Sequence, residues 1–169
     1  MRRQSAATLV ALFILLALGV VPAMAFDRSA DEAEMLQLLN RARTRRGLAS
    51  VNVVNPLDRA AFSHSADMLS RDYFSHSSLA GATVAVRARR AGYSTSDCSQ
   101  WTVGEVIAWG KSYEGTPESI FHAWMRSESH RSVILGKRWR DVGIGCSRGT
   151  LKGVSGVIMY TVDFGRRVQ

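Results

Sequence analysis

The sequence predicts an α+β domain in which helices cover the faces of a short, mainly antiparallel sheet. Two observations carry this. Capped, helix-spaced apolar patterns fill the first half of the chain, and strand-like segments are concentrated in the second. The last two of those segments flank a Gly-rich stretch, Gly149 to Gly156, and read as an antiparallel hairpin.

The elements follow in order. Ser29-Ala-Asp-Glu32 is a capping box, ahead of Met35, Leu38, Leu39 and Ala42 at helical spacing, with Gly47 as a stop. Asn55-Pro56 opens a second helix reaching about Asp72, with Ala60, Ala61, Met68 and Leu69 on one side. Thr83 caps a short third helix ending at Gly92. Thr116-Pro117-Glu118 opens a fourth, whose Ile120, Phe121, Trp124 and Met125 form a buried stripe, and His130 to Leu135 adds one more short turn. Strands are expected at Val103 to Trp109, Asp141 to Cys146 and Val157 to Phe164.

The N-terminus sets the compartment. Arg2 and Arg3, an uncharged run from Ala6 to Val21 and Ala23-Met24-Ala25 make a signal peptide over residues 1–25, favoured over a retained anchor because Pro22 and the Ala-x-Ala ending follow the run. Residues 26–169 are then a single domain, secreted or periplasmic, with no transmembrane span after cleavage. The whole chain carries +8. Without Arg2 and Arg3 it carries 20 basic against 14 acidic residues. Those charges are interspersed, with short clusters at Arg41 to Arg46, Arg87 to Arg90 and Lys137 to Arg140, and read mostly as solvated surface. Nucleic acid is not an expected partner. Two cysteines remain, Cys98 and Cys146, with no second Cys or His at zinc-finger spacing, so in an oxidising compartment a disulfide is expected ahead of a metal pair or a reactive thiol.

Four segments carry polar groups that could do chemistry: Tyr73-Phe-Ser-His76, Gly104-Glu105, Glu128-Ser-His130 and the hairpin. Two imidazoles and two carboxylates could hold a divalent cation or relay protons, if the fold brings them together. His64 falls on the apolar side of the second helix and reads as a core histidine; His122 reads as solvated. Ser75, Ser77 and Ser78 lie near His76, but no Gly-x-Ser-x-Gly elbow is present. Trp109 and Trp124 read as core, and Trp101 and Trp139 as surface residues.

Asp72-Tyr-Phe-Ser-His76, Ala91-Gly-Tyr93, Gly104-Glu-Val-Ile-Ala-Trp-Gly110, Ala123-Trp-Met-Arg-Ser-Glu-Ser-His-Arg-Ser-Val-Ile-Leu135 and Val142-Gly-Ile-Gly145, in this order and spacing, resemble the CAP superfamily in its compact bacterial SCP-like form. That superfamily includes cysteine-rich secretory proteins, antigen 5 and pathogenesis-related proteins. The resemblance runs from about Glu34 to Phe164. It implies a three-layer α-β-α sandwich with a surface cavity lined by His76, Glu105 and His130, with Glu128 as the second acid. Val106 stands where Asn is usual, and Glu128 where bacterial relatives carry Pro or Gly. The implied cofactor is a divalent metal, zinc or magnesium. The implied role is a binding module for a cell-envelope polymer, lipid or other extracellular ligand, rather than a conventional enzyme. Two alternatives stand beside it: a metal-dependent, protease-like hydrolase, and an envelope adhesion module without a functional cavity.

Overall fold

The computed structural model describes residues 29–93 and 98–168. The expected signal peptide lies outside them. Among the described residues no helix is long and apolar enough to cross a membrane.

Helix α1 spans Ala30–Thr44, and its capping box is complete: the amide of Ser29 donates to Glu32 Oε2 (2.9 Å) and Ser29 Oγ accepts from the amide of Glu32 (3.3 Å). A two-residue strand β1 (Asn52–Val53) leads into α2 (Asn55–Ser70), and α3 (Val84–Arg90) is capped by Thr83. Strand β2 (Gln100–Lys111) ends in a turn of 3-10 helix. Helices α4 (Pro117–Arg126) and α5 (Glu128–Ile134) follow, then strands β3 (Asp141–Leu151) and β4 (Val154–Val168).

The sheet order is β1-β3-β4-β2, with β1 parallel to β3 and the other pairs antiparallel. Alternation along the strands divides the molecule into layers. Val142, Ile144, Cys146, Tyr160, Val162, Phe164 and Val106 point to one face and form the main core with Met35 and Leu39 of α1, Ile120 and Trp124 of α4, and Ile134 of α5. The opposite face carries α2. A Cβ on Gly143 or Gly145 would collide with the α2 backbone at Leu57, Asp58 and Phe62, so these two glycines let the helix lie directly on the strand. Ser65 Oγ closes that contact by donating to the carbonyl of Gly145 (3.0 Å). The result is the α-β-α sandwich, with α2 and α3 on one side and α1, α4 and α5 on the other.

The strands are longer than their apolar cores suggested, and the hairpin is tighter. Its connection is the two-residue turn Lys152-Gly153, both at positive φ (49° and 79°), whereas Gly149 and Gly156 belong to the strands beside a bulge. Strand β1 went unread because two residues give no periodicity. Arg43, placed by its sequence in a solvated cluster, is fully buried and donates to the carbonyls of Ala49, Ile134 and Gly136 (3.0, 2.7 and 3.0 Å).

The expected Cys98–Cys146 disulfide is not formed; both are free thiols. Cys98 Sγ lies 3.5 Å from the carbonyl of Val168, whereas Cys146 pairs with Tyr160. Eight residues of β4 separate those positions, roughly 26 Å at about 3.3 Å per residue. A disulfide needs Cα atoms within about 7 Å. The tryptophan reading also needs correction. Trp139 is buried, stacked on Phe164 with ring centroids 6.0 Å apart, while Trp109 is 39% exposed. Trp101 is half-buried, its ring edge-on to Tyr93. Trp124 is core as read, and donates to the carbonyl of Ile107 (3.2 Å).

Candidate functional site

The loop after α2 is built residue by residue. Asp72 takes a positive φ of 54° to leave the helix, and its carboxylate accepts the amide of Lys152 at the hairpin turn. Tyr73 turns inward to the cluster of Met68, Ile107 and Met159, and its hydroxyl donates to Asp67. Phe74 is left 40% exposed. The carbonyl of Ser75 accepts from His64 Nε2 (2.9 Å), which fixes His64 as the Nε2–H tautomer. His76 then reaches β2, its Nδ1 2.7 Å from Glu105 Oε1.

Glu105 is an inward residue of β2 with a side chain only 2% exposed. Its second oxygen is paired with Arg87 of α3, and Arg87 also donates to the carbonyls of His76 and Ala82, both at 2.8 Å. One guanidinium therefore fixes both the carboxylate and the loop carrying the imidazole it orients. Burial pushes the Glu105 carboxyl up, but the bond from His76 and the charge of Arg87 outweigh it and hold the group below its ordinary value. An ionised Glu105 accepts, so His76 Nδ1 carries the proton of this bond.

Directly across the ladder from Glu105 stands Asp163, completely buried. Neither of its oxygens meets a donor among the described residues. Burial, and then the negative charge of Glu105, push the Asp163 carboxyl well above its ordinary value. Two adjacent buried carboxyls are tolerable when one keeps its proton, and Asp163 is the one that does.

His130, in the first turn of α5, joins His76 in lining a cleft of about 570 Å³. One wall is the loop from Phe74 to Ser77, the floor is Ile107 to Trp109 of the edge strand β2, and the other wall is Ala123, Trp124, Ser127 and His130. The cleft thus opens where the two helical layers meet along the sheet edge. His130 Nδ1 is buried without a partner among the described residues, and burial followed by the charge of His76 lowers its proton affinity. Two imidazoles facing one cleft offer ring nitrogens that, where unprotonated, accept donors from a ligand or ligate a borderline-soft cation.

His76, Glu105 and His130 therefore come together. Glu128 does not join them: it is exposed at the start of α5, outside the cleft lining. Among the described residues no group of three or more His, Cys, Asp or Glu is placed to hold a metal ion. The donor set left is two imidazoles, with Glu105 behind His76 in the outer-sphere position that carboxylates take behind metal-bound histidines. Nitrogen donors are closer to the preference of zinc than to that of magnesium, which demands oxygen ligands. His64 is the core histidine expected, 1% exposed, and His122 is solvated, 3.7 Å from Glu118. Ser75 and Ser78 accept backbone amides of their own loop (3.1 and 3.0 Å), which is turn chemistry.

Sequence reasoning missed Arg87 and Asp163. Nothing in the Arg87 to Arg90 run distinguishes the inward arginine from its neighbours. Asp163 did leave a signal, as a lone acid within an apolar strand.

The profile of the cysteine-rich secretory protein family matches residues 36–164. Two Bacillus subtilis proteins are similar: the uncharacterized protein YkwD, 33% identical over 117 residues that make up 69% of this chain and 42% of that protein, and the uncharacterized membrane protein YlbC, 31% identical over 121 residues, 72% of this chain and 33% of that protein. The chain thus spans well under half the length of either. Among solved structures, an extracellular Bacillus anthracis protein containing an SCP domain aligns with a TM-score of 0.65 at 25% identity, over 80% of this chain and 40% of that one. An outer surface protein of Borrelia burgdorferi shares the fold, with a TM-score of 0.66 at 19% identity over 82% and 93% of the two chains.

Proposed function

The chain belongs to the cysteine-rich secretory protein (CAP) family, and on that premise we infer that it is an exported binding module whose cleft takes a polar cell-envelope ligand between His76 and His130. The observation that carries this reading is the state of Glu105. Both of its oxygens are engaged, one by His76 and one by Arg87, and its carboxyl is held below its ordinary value. Such a group orients a histidine well and removes protons from water poorly. This favours binding over hydrolysis. The partly exposed rings of Phe74 and Trp109 in the cleft lining add apolar surface for an envelope polymer or lipid.

A zinc ion on the two imidazoles would supply a Lewis-acid anchor for an anionic oxygen of the ligand. His76 and His130 would hold it, while Glu105 and Arg87 keep the His76 ring in place. Export is supported by the basic, apolar and Ala-x-Ala pattern of residues 1–25 and by relatives described as extracellular or outer-surface.

Calorimetric titration with zinc and with magnesium near neutral pH tests the site, with the double variant His76→Ala, His130→Ala as control. The expected result is zinc binding that the variant abolishes, and no comparable magnesium binding. Magnesium preference, no zinc binding, or zinc binding untouched by the double substitution would refute the metal assignment.

A further inference from the structure

The fold gathers charges that lie scattered along the sequence. At the end of the sheet where β3 begins and β4 finishes, Asp141 stands opposite Gly165 and Asn52, and Thr102 and Trp101 of β2 stand opposite Arg166 and Arg167. The loop before β3 is tied to this end, since the amide of Arg140 donates to the carbonyl of Gly165 (3.0 Å), and it brings the exposed Lys137, Arg138 and Arg140. Buried Arg43 donates to the carbonyl of Gly136 in the same loop, so α1 ends there too, with Arg45 and Arg46 exposed beyond it. On the other face, Gly143 lies against Leu57 and Asp58 at the start of α2, which puts the exposed Arg59 at the same level. Arg59 donates to the carbonyl of Ala91 (2.8 Å), and Ala91 closes α3 directly after the exposed Arg89 and Arg90.

Little negative charge opposes these groups. The carboxylates at this end among the described residues are Asp58, buried and accepting the amide of Ile144, and Asp141, which accepts from Tyr93 (2.7 Å) and Arg167 (3.1 Å). Arg138 and Arg140 rest on uncharged neighbours: the guanidinium of Arg138 lies 5.2 Å from the centre of the Trp139 ring, and Arg140 donates to the carbonyls of Lys137 and Trp139 (2.9 and 2.7 Å). The hairpin end is mixed, with Lys111 and Lys152 near Glu114 and Asp72. Arginines at helix C-termini complement the macrodipole, which accounts for Arg45, Arg46, Arg89 and Arg90 one helix at a time. It does not account for Arg59, in the second turn of α2, or for Arg166, on a strand. Crowding like charges at one end costs stability by self-repulsion, and a bound polyanion offsets that cost.

We propose that this end of the molecule is a docking surface for a linear phosphodiester polymer of the cell envelope, lying across the ends of all three layers. Three observations select that occupant. The cations form a band that runs from α1 and the loop before β3, over β4, to α2 and α3; with layers about 10 Å apart it extends roughly 20 Å, which fits a chain better than a single anion. All of them but Lys137 are arginines, whose forked donors match phosphate oxygens. Among the described residues the exposed aromatic rings, Phe62, Phe74, Trp109 and Tyr113, lie elsewhere on the molecule, so this end lacks the aromatic wedge of a bilayer-inserting surface. Naming the envelope as the source rests on the exported reading above; the docking itself does not involve the cleft.

The test is titration of fluorescently labelled poly(glycerol phosphate) with the purified protein, followed by anisotropy. Binding is expected with a Kd of about 100 μM or tighter near about 50 mM salt, weakening about a hundredfold by about 200 mM, as about five phosphate contacts require. Two double substitutions at exposed positions divide the band: Arg45→Gln with Arg138→Gln on one helical layer, and Arg59→Gln with Arg90→Gln on the other. Each is expected to weaken binding about tenfold at the lower salt and to flatten the salt dependence. Lys111→Gln with Lys152→Gln, an equal change in net charge at the hairpin end, is expected to leave the affinity within about twofold. No binding, an equal loss in the lysine variant, or a loss confined to one of the arginine pairs would overturn the proposal. Tighter capture by phosphatidylglycerol vesicles than by the polymer would overturn it in favour of a lipid surface. Equal affinity for polyglutamate of matched charge would remove the phosphate assignment, and tighter binding of single-stranded DNA would remove the envelope source. The double variant His76→Ala, His130→Ala is expected to titrate like the parent here, so failure of the cleft and failure of the docking surface are told apart.

Discussion

Glu105 is held by partners of unequal weight. His76 is 60% exposed, so its bond to Glu105 is screened by water, whereas Arg87 is nine-tenths buried and pairs in a dry setting. Replacing Glu105 by Gln strands the guanidinium and is expected to cost about 3 kcal/mol, read as a lower denaturation midpoint in urea. Asp163 works in the opposite sense. Its folded-state proton affinity is raised, so above its ordinary value of 3.8 the unfolded chain has released a proton that the folded chain retains. Stability attributable to Asp163 therefore falls as pH rises from 3.8 towards the folded value. Asp163→Asn keeps a donor for Glu105 without needing the proton. It is expected to flatten that decline and to be more stable than the parent at neutral pH, as thermal melts from mildly acidic to mildly alkaline buffer would show; a steeper decline would contradict the shared-proton reading. His76, Glu105 and His130 were legible in the sequence because each sits in a distinctive segment. Their dependence on Arg87 and Asp163 was not, because it arises from α3 and β4 folding against β2.

The helices were readable because their signals are local: the capping box at Ser29, Pro at the start of α2 and α4, and apolar spacing of three and four. The sheet was readable only in part. The ends of β2, β3 and β4 are polar, and their pairing is fixed by partners far away in sequence. The outer edge of β3 shows this well. Beyond β1 it has no neighbouring strand among the described residues, and the amides of Ile144 and Cys146 are taken by the carboxylates of Asp58 and Glu32 at 2.8 and 2.9 Å. Those helix acids look like ordinary first-turn residues. The Val142-Gly-Ile-Gly145 segment could be recognised, but its cause becomes visible only with α2 in place. Gly143→Ala or Gly145→Ala would push the helix off the strand. Each is expected to cost about 3 kcal/mol, read in equilibrium urea unfolding, whereas Gly153→Ala at the exposed turn should cost about 1 kcal/mol through its positive φ alone.

Across the whole molecule, stability does not rest on a covalent clasp. Burial pushes the Cys146 thiol up to about 12, so it is unreactive at neutral pH, while Cys98 lies half-buried near the start of β2. Thiol titration of the native protein is expected to label Cys98 alone, both cysteines should react after denaturation, and reductant should leave the melting temperature unchanged. The layered architecture was foreseen from the order of segments; the bridge was not excluded, because two cysteines 48 positions apart carry no record of where a sheet will put them.

The strand order has one further consequence. Strand β4, a 15-residue element and the last of the fold, lies between β3 and β2. Until it is delivered, β2 has no neighbour and β3 has only the two residues of β1. A nascent or translocating chain thus cannot complete its sheet early. An export channel that takes only unfolded cargo would therefore meet no finished sheet in this chain until β4 was through.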